Sequence, residues 1–98
     1  MKIQVKNIKE NPVSLLRRAG YTFQHHTDRD EMSFVRPLAR AGFPRFHMYA
    51  KMEERDLMIS IHLDQKKETY GKDTRHHGEY ENDGALMEEV QRIARVIG

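Results

Sequence analysis

The feature that most constrains this chain is a pair of alternating segments, residues 43–52 and 56–64, which match each other as the arms of one β-hairpin. Successive side chains of a strand point to opposite faces of a sheet, so each segment divides into an apolar row and a polar row. The apolar rows are Phe46, Met48, Ala50 and Met52 in the first arm, and Leu57, Ile59, Ile61 and Leu63 in the second. A slip of one residue would move an apolar row onto the polar face, so the pattern favours a single register.

This register predicts a cluster of polar side chains on one face of the hairpin. With residues 53–56 as the connection, His47 lies opposite His62, and Arg45 lies opposite Asp64 as a cross-strand ion pair. Side chains at directly opposite positions have Cβ atoms about 4.5–5.5 Å apart, which is close enough for two imidazoles to share one ligand. The hairpin therefore contains a candidate site, although the pattern does not identify its ligand.

The composition indicates one small domain that covers residues 1–98, with no room for a second core. The chain has no cysteine, which excludes disulfides, thiolate metal sites and a cysteine nucleophile. No apolar run approaches the roughly 20 residues of a membrane helix, and the first residues lack the apolar segment of a signal peptide. We therefore expect a cytoplasmic protein with no membrane partner.

The remaining segments predict the element order β-α-β-β-β-β-α. The elements are strand 3–5, a helix that starts at Asn11-Pro12 and ends at Gly20, strands 21–26 and 32–38, the hairpin, and a last helix with Asp83 as its N-cap. We predict an α+β fold in which an antiparallel sheet of four to five strands has two helices packed on one face and the other face open. The order resembles half of the TATA-binding-protein-like folds and, more loosely, the helix-grip folds, a resemblance that implies no function.

Residues 65–82 form a long polar loop between the hairpin and the last helix. Connections of this length in a small domain are usually functional or disordered. If the loop folds back over the open face, His76, His77 and Glu79 could join the histidines of the hairpin.

Two short words flank this loop. They read His-Leu-Asp-Gln-Lys at residues 62–66 and His-His-Gly-Glu-Tyr at residues 76–80. They resemble words shared by a group of small prokaryotic proteins without an assigned function. The resemblance implies only that the two words belong to one site.

Our first hypothesis is a site for a divalent metal such as zinc. The predicted ligands are His47, His62, Asp64, His76 and His77. Imidazole and carboxylate groups suit zinc or another first-row divalent ion. With an open coordination position, a bound water could become a hydrolytic nucleophile, and Glu79 could act as its base. The spacing matches no established zinc motif such as His-Glu-x-x-His, and whether the protein is an enzyme stays open.

A second hypothesis is a binding site for a small anionic ligand, or for single-stranded nucleic acid such as RNA. The residues expected to hold an anion are Arg45, Tyr49, Lys66, Lys67 and Tyr70. Residues 1–52 contain ten Lys and Arg against four Asp and Glu, a net charge of +6. Basic residues that include Arg36 could surround the aromatic side chains of the open face, as in single-strand binders. Asp64 and Glu79 interrupt this patch, and there is no RRM-type aromatic motif.

The sequence is also compatible with a non-enzymatic adaptor or structural protein. An exposed sheet edge could pair two copies of the chain as a homodimer. The hairpin histidines could be half-exposed structural residues that are hydrogen-bonded to Tyr49, Ser60 and each other. Ser14, Ser33 and Ser60 lie in no nucleophile-elbow context, so a serine nucleophile is not expected.

Overall fold

A computed structural model describes residues 1–65 and 75–98, with the side chains described for residues 1–65 and 84–98. The elements are β1 Lys2–Val5, α1 Pro12–Arg18, β2 Thr22–His26, β3 Met32–Pro37, β4 Arg45–Glu53, β5 Asp56–Asp64 and α2 Arg75–Ile97. This is the predicted order of strands and helices.

The five strands form one antiparallel sheet in the order β1-β5-β4-β3-β2. Strands β2, β3 and β4 each pair with the next strand along the chain, as short antiparallel connections allow. β1 pairs with residues 57–60 of β5, so both arms of the β4–β5 hairpin have a neighbour on each side. The predicted α+β fold, an open antiparallel sheet with two helices, is confirmed.

Alternation along the strands separates a core face from an open face. The sheet residues that are buried in the core cluster are Phe34, Phe46, Met48, Ala50, Leu57, Ile59 and Ile61. They form one cluster with Leu15 and Leu16 of α1 and with Leu86 and Ile93 of α2. Both helices therefore cover the same face, and the polar rows of β4 and β5 lie on the other.

The β4–β5 hairpin has the predicted register. Its pairs include Met48 with Ile61, His47 with His62, and Arg45 with Asp64. Glu53 pairs with Asp56, so the turn consists of two residues, and the first of them, Glu54, has a φ of 61°. Positive φ values are typical of two-residue hairpin turns, whose twist matches that of the strands.

Both ends of α1 follow the predicted capping pattern. The Asn11 side chain accepts a hydrogen bond from Val13 N at 2.8 Å, and a proline occupies the first turn. Gly20 has a φ of +94°, the left-handed conformation that glycine adopts without steric cost. A Cβ at Gly20 would lie 3.2 Å from Arg36 Nε, so this glycine also leaves room for the arginine.

The last helix begins earlier than the sequence predicts. α2 starts at Arg75 and not after Asp83, so residues 75–82 of the predicted loop are helical. The prediction used apolar side chains at helical spacing, which begin at Leu86, whereas Tyr80 is the one large apolar residue in the sequence of residues 75–82. Residues 66–74, the rest of the predicted loop, lie outside the described residues. No helix in the described part of the chain is long and apolar enough to cross a membrane.

The edge strand β2 contains a β-bulge. Phe23 pairs with Phe34, but the next pair joins His25 to Ser33, which leaves Gln24 as an extra residue. Gln24 and His25 therefore both stand opposite Ser33. Regular pairing is therefore interrupted at Ser33, which pairs with Tyr49 of β4 on its other side.

Candidate metal centre on the open sheet face

Strand alternation delivers the two histidines to the same face. His47 directly precedes the buried Met48, and His62 directly follows the buried Ile61. Because these chain neighbours point into the core, both imidazoles project from the open face. Asp64 lies two residues beyond His62 and shares its face.

The nitrogen and oxygen atoms of His47, His62 and Asp64 form a compact donor set. Asp64 Oδ2 lies 3.4 Å from His47 Nδ1, and Asp64 Oδ1 lies 3.5 Å from His62 Nε2. One ligand atom from each residue can be chosen so that all three lie within 4.8 Å of one another. Among the side chains that the structure describes, this is the one group of three histidines and acids close enough to hold a metal ion.

The spacing of these donors is compatible with a shared tetrahedral ion, and each nitrogen lies near a different oxygen of Asp64. Well-formed N–H···O bonds are about 2.7–3.2 Å long, shorter than either distance to Asp64. Ligand atoms about 2.0–2.2 Å from a tetrahedral zinc ion lie about 3.3–3.6 Å from one another. The His62 side chain is 43% exposed and that of His47 is 14% exposed. His47 is therefore fixed by its surroundings, and the His62 side is open to an arriving ion.

The half-buried His47 is held in its neutral form. Burial lowers the pKa of His47 below the ordinary value of 6.5, and the neighbouring His62 lowers it further. Asp64 acts in the opposite direction without overcoming these effects. His47 is therefore neutral near pH 7, which is the form that binds a metal ion.

Arg45 orients the carboxylate of the cluster. Its Nε donates a hydrogen bond to Asp64 Oδ2 at 3.2 Å, which confirms the expected cross-strand ion pair. Its guanidinium also lies over the ring of Phe43, 4.5 Å from the centroid. Arg45, which the sequence predicts as an anion-binding residue, thus fixes Asp64 and adds positive charge beside the donor set.

A serine that the sequence does not assign to the site contacts His47. Ser33 Oγ lies 3.0 Å from His47 Nε2 and donates a hydrogen bond to Gln24 Oε1 at 3.3 Å. Ser33 is only 1% exposed, so these two contacts satisfy a buried hydroxyl. The hydrogen-bond partner of His47 is therefore Ser33 of β3. The sequence alone suggests Tyr49 and Ser60 for this role.

Ser33 contacts His47 and His47 contacts Asp64, which is the order of contacts in a Ser-His-Asp catalytic triad. The burial of the Ser33 hydroxyl excludes that chemistry. A nucleophilic hydroxyl has to reach the substrate carbon. The Ser33 hydroxyl is enclosed and already bonded to Gln24 and His47.

Tyr49 forms an aromatic cluster with the two histidines. The ring centroids are 4.7 Å apart for His47 and Tyr49, 4.9 Å for His47 and His62, and 5.9 Å for Tyr49 and His62. Tyr49, which the sequence predicts as a ligand-binding residue, therefore packs directly against the donor set.

A shallow depression of about 230 Å³ adjoins Tyr49 on the open face. Lys2 and Lys51 line it together with Glu31 and Glu53. Because its basic and acidic residues balance, the depression gives no electrostatic preference for an anion. An anionic ligand would have to be held at the donor set itself.

The structure corrects the position expected for Arg36. The sequence places it among the basic residues around the open face, but Arg36 pairs with the core residue Phe46 and its guanidinium lies 3.3 Å from Glu89 of α2. Strand alternation puts it on the same face as Phe34, two residues away. The basic patch expected for nucleic-acid binding therefore loses this residue.

The other predicted site residues lie outside the described part of the chain. They are Lys66, Lys67 and Tyr70, which belong to the segment that is not described, and the side chains of His76, His77 and Glu79 near the start of α2. Their roles stay predictions.

Comparisons with protein-family models, with curated proteins and with solved structures find no match for this chain. The resemblance based on the words at residues 62–66 and 76–80 therefore stays a prediction. The function has to be inferred from the geometry and charge of the site.

Proposed function

We propose that this protein binds a divalent metal ion, zinc in the first instance, through His47, His62 and Asp64. The observation that carries the proposal is the spacing of the donors. Two imidazole nitrogens lie 3.4 and 3.5 Å from the oxygens of one carboxylate. Three such ligands leave a fourth tetrahedral position open, as in catalytic zinc sites.

The charge of the loaded site favours an anion at that open position. Two neutral imidazoles and one carboxylate leave a divalent ion with a net charge of about +1. Arg45 adds a second positive charge next to Asp64. A phosphate or carboxylate would therefore bind better than a neutral molecule of similar size. The metal and anion hypotheses thus combine in a single site.

Hydrolysis would use the same open position. Zinc lowers the pKa of a bound water toward about 7, so that hydroxide becomes available near neutral pH. The base predicted for this step, Glu79, lies outside the described side chains. The proposal is therefore limited to the binding of a metal and an anion.

Single-stranded nucleic acid is the weaker hypothesis. Its affinity depends on basic side chains that are free to reach phosphates. Arg36 and Arg45 are instead paired with Glu89 and Asp64. The adaptor and the homodimer stay predictions from the sequence.

Zinc titration of tag-free, chelator-treated protein tests the proposal. We expect wild-type protein to bind one zinc ion per chain, and phosphate to raise its apparent zinc affinity. His62→Ala should lower that affinity by more than the roughly 10- to 100-fold that outer-shell substitutions cost. Because His62 is half exposed, its replacement should leave the fold intact, which thermal melting followed by circular dichroism checks.

His25→Ala is the matched control, because it removes an exposed histidine from the edge strand β2. This variant should bind zinc as the wild-type protein does. Equal zinc affinity in wild-type and His62→Ala protein would contradict the proposal. Failure of the wild-type protein to bind zinc would contradict it as well.

A further inference from the structure

The hydrogen bonds behind His47 select which of its ring nitrogens can bind a metal. We propose that Ser33 and Gln24 hold His47 in the tautomer protonated at Nε2, so that Nδ1 is the nitrogen offered to the ion. The inference rests on the proposed function and adds two positioning residues to it.

The protons available at Ser33 determine this tautomer. A serine hydroxyl has one proton to donate and can accept on its oxygen. Ser33 donates to Gln24 Oε1 at 3.3 Å, which leaves its oxygen as the acceptor in the 3.0 Å contact with His47 Nε2. Nε2 must then carry the ring proton, and the lone pair of Nδ1 is free.

The opposite tautomer would satisfy fewer polar groups. A proton on Nδ1 would point toward Asp64 Oδ2, 3.4 Å away. That oxygen already accepts from Arg45 Nε at 3.2 Å. Ser33 would have to donate to His47, and Gln24 Oε1 would lose its donor. The Nε2-protonated form is therefore the one that fits both neighbours.

Two features of the fold support a positioning role for this contact. Ser33 is one of two buried polar residues among the described side chains, and its hydroxyl contacts both His47 and Gln24. The bulge in β2 places Gln24 and His25 together opposite Ser33. Bulges are over-represented beside functional sites, where they redirect a side chain. In metal sites generally, the second ring nitrogen of a ligating histidine donates to a fixed acceptor, which orients the ring.

Substitutions at both positions test the proposal through zinc affinity. Ser33→Ala removes the acceptor of Nε2 and should lower zinc affinity about 10- to 100-fold. Gln24→Leu frees the Ser33 hydroxyl to donate to His47, so it should also weaken zinc binding. Gln24→Glu keeps an oxygen acceptor and should bind zinc as the wild-type protein does. Ser60→Ala, which removes a half-buried serine of β5, is the matched control and should leave affinity unchanged.

Nitrogen-15 NMR of the histidine rings reads the tautomer directly. We expect His47 to be protonated at Nε2 in metal-free wild-type protein and to bind zinc through Nδ1 when loaded. In Ser33→Ala and Gln24→Leu protein, the Nε2-protonated population should fall. Gln24 is exposed, so its variants keep the test decisive if Ser33→Ala fails to fold.

The two proposals fail in different ways. If wild-type protein binds no zinc but His47 is protonated at Nε2 and responds to Gln24→Leu, the proposed function fails and the positioning role of Ser33 and Gln24 is supported. If zinc binds while metal-free His47 is protonated at Nδ1, or while Ser33→Ala and Gln24→Leu retain wild-type affinity, the positioning role is overturned and the metal site is supported.

Discussion

At the residue scale, the site combines a histidine fixed by its neighbours with one that is open to solvent. His47 is hydrogen-bonded to Ser33 and enclosed by the rings of Tyr49 and His62. His62 is more exposed and can adjust to an incoming ion. The two residues are therefore not equivalent, although they face each other in the hairpin.

We expect His47 to make the metal-free protein less stable as the pH falls below about 6.5. Burial and the charge of His62 lower its pKa beneath the ordinary 6.5, although Asp64 opposes this shift and Arg45 adds to it. The unfolded chain therefore takes up this proton at a higher pH than the folded protein. The contribution of His47 is complete above pH 6.5 and is lost as the pH falls through the folded pKa.

Urea denaturation of chelator-treated protein between about pH 7.5 and about pH 5 measures this effect. His47→Gln should reduce the dependence of the free energy of unfolding on pH over this range. His25→Gln, which removes an exposed imidazole, should keep the wild-type dependence. The same pH dependence in His47→Gln and wild-type protein would refute the expectation.

Part of the site was predictable from the sequence because it is local. His47, His62 and Asp64 belong to one hairpin, whose register follows from its own alternation. Ser33 and Gln24 join the site through the pairing of β3 with β4 and of β2 with β3. A bulge interrupts the latter, and a period of two residues cannot reveal it. The available signal was a lone serine within an apolar strand segment.

At the element scale, α1 depends on its cap. This helix has seven residues, Pro12–Arg18, and helices this short are unstable without capping and packing. We expect Asn11→Ala to lower the free energy of unfolding by about 1 kcal/mol, because the N–H of Val13 loses its acceptor. Chemical denaturation measures the change.

Asn11→Asp keeps a side-chain acceptor at the cap and should retain most of the wild-type stability. Lys9→Ala, a change at an exposed position before the helix, should stay within about 0.5 kcal/mol of wild type. If Asn11→Asp destabilises as much as Asn11→Ala, the side chain of residue 11 does not act as a cap.

The elements differ in how far their sequence determines them. The caps of α1 and the hairpin register were predictable because each depends on residues adjacent in sequence or in the pleat. The start of α2 at Arg75 was not predictable from the sequence. Tyr80 is the one large apolar residue between positions 75 and 84, so no apolar pattern at helical spacing indicates a helix there. Polar helical turns and polar loops have similar compositions.

At the scale of the whole molecule, one buried carboxylate joins both helices to the sheet. Glu89 of α2 accepts a hydrogen bond from the Tyr21 hydroxyl at 2.6 Å and from Arg92 at 2.8 and 2.9 Å, and it pairs with Arg36 of β3. Arg92 in turn donates to the carbonyl of Ala19 at the end of α1. This network was not predictable, since glutamates are rarely buried.

The network keeps Glu89 ionised although it is buried. Burial alone would raise the pKa of Glu89, but the hydrogen bonds from Arg92 and Tyr21 and the charge of Arg36 outweigh it and hold the pKa below 4.5. Burial and the same carboxylate raise the pKa of Tyr21, so its hydroxyl remains a donor. The stability that Glu89 contributes is complete above pH 4.5 and is lost as the pH falls through its folded pKa.

We expect Glu89→Gln to lower the free energy of unfolding by about 2–3 kcal/mol near neutral pH, because charge-assisted hydrogen bonds are lost. The difference from wild type should shrink as the pH falls below about 4.5, where the wild-type carboxylate is protonated. Urea denaturation across this range measures both effects. Glu88→Gln, a change at the exposed neighbouring residue, is the control and should stay within about 0.5 kcal/mol. Equal stabilities of the two variants would contradict this account of the network.

Strand alternation has a consequence for ion selectivity. The residues at the centre of the site are each flanked along the chain by side chains that pack in the core: Met32 and Phe34 beside Ser33, Phe46 and Met48 beside His47, and Ile61 and Leu63 beside His62. Their backbones are therefore ordered on folding, and little further freedom is lost when a ligand binds. The proposed donor set offers two nitrogens and one carboxylate, whereas calcium takes six to eight oxygen ligands at about 2.3–2.6 Å. We therefore expect the proposed site to prefer zinc to calcium, because strand alternation brings nitrogen donors to this face.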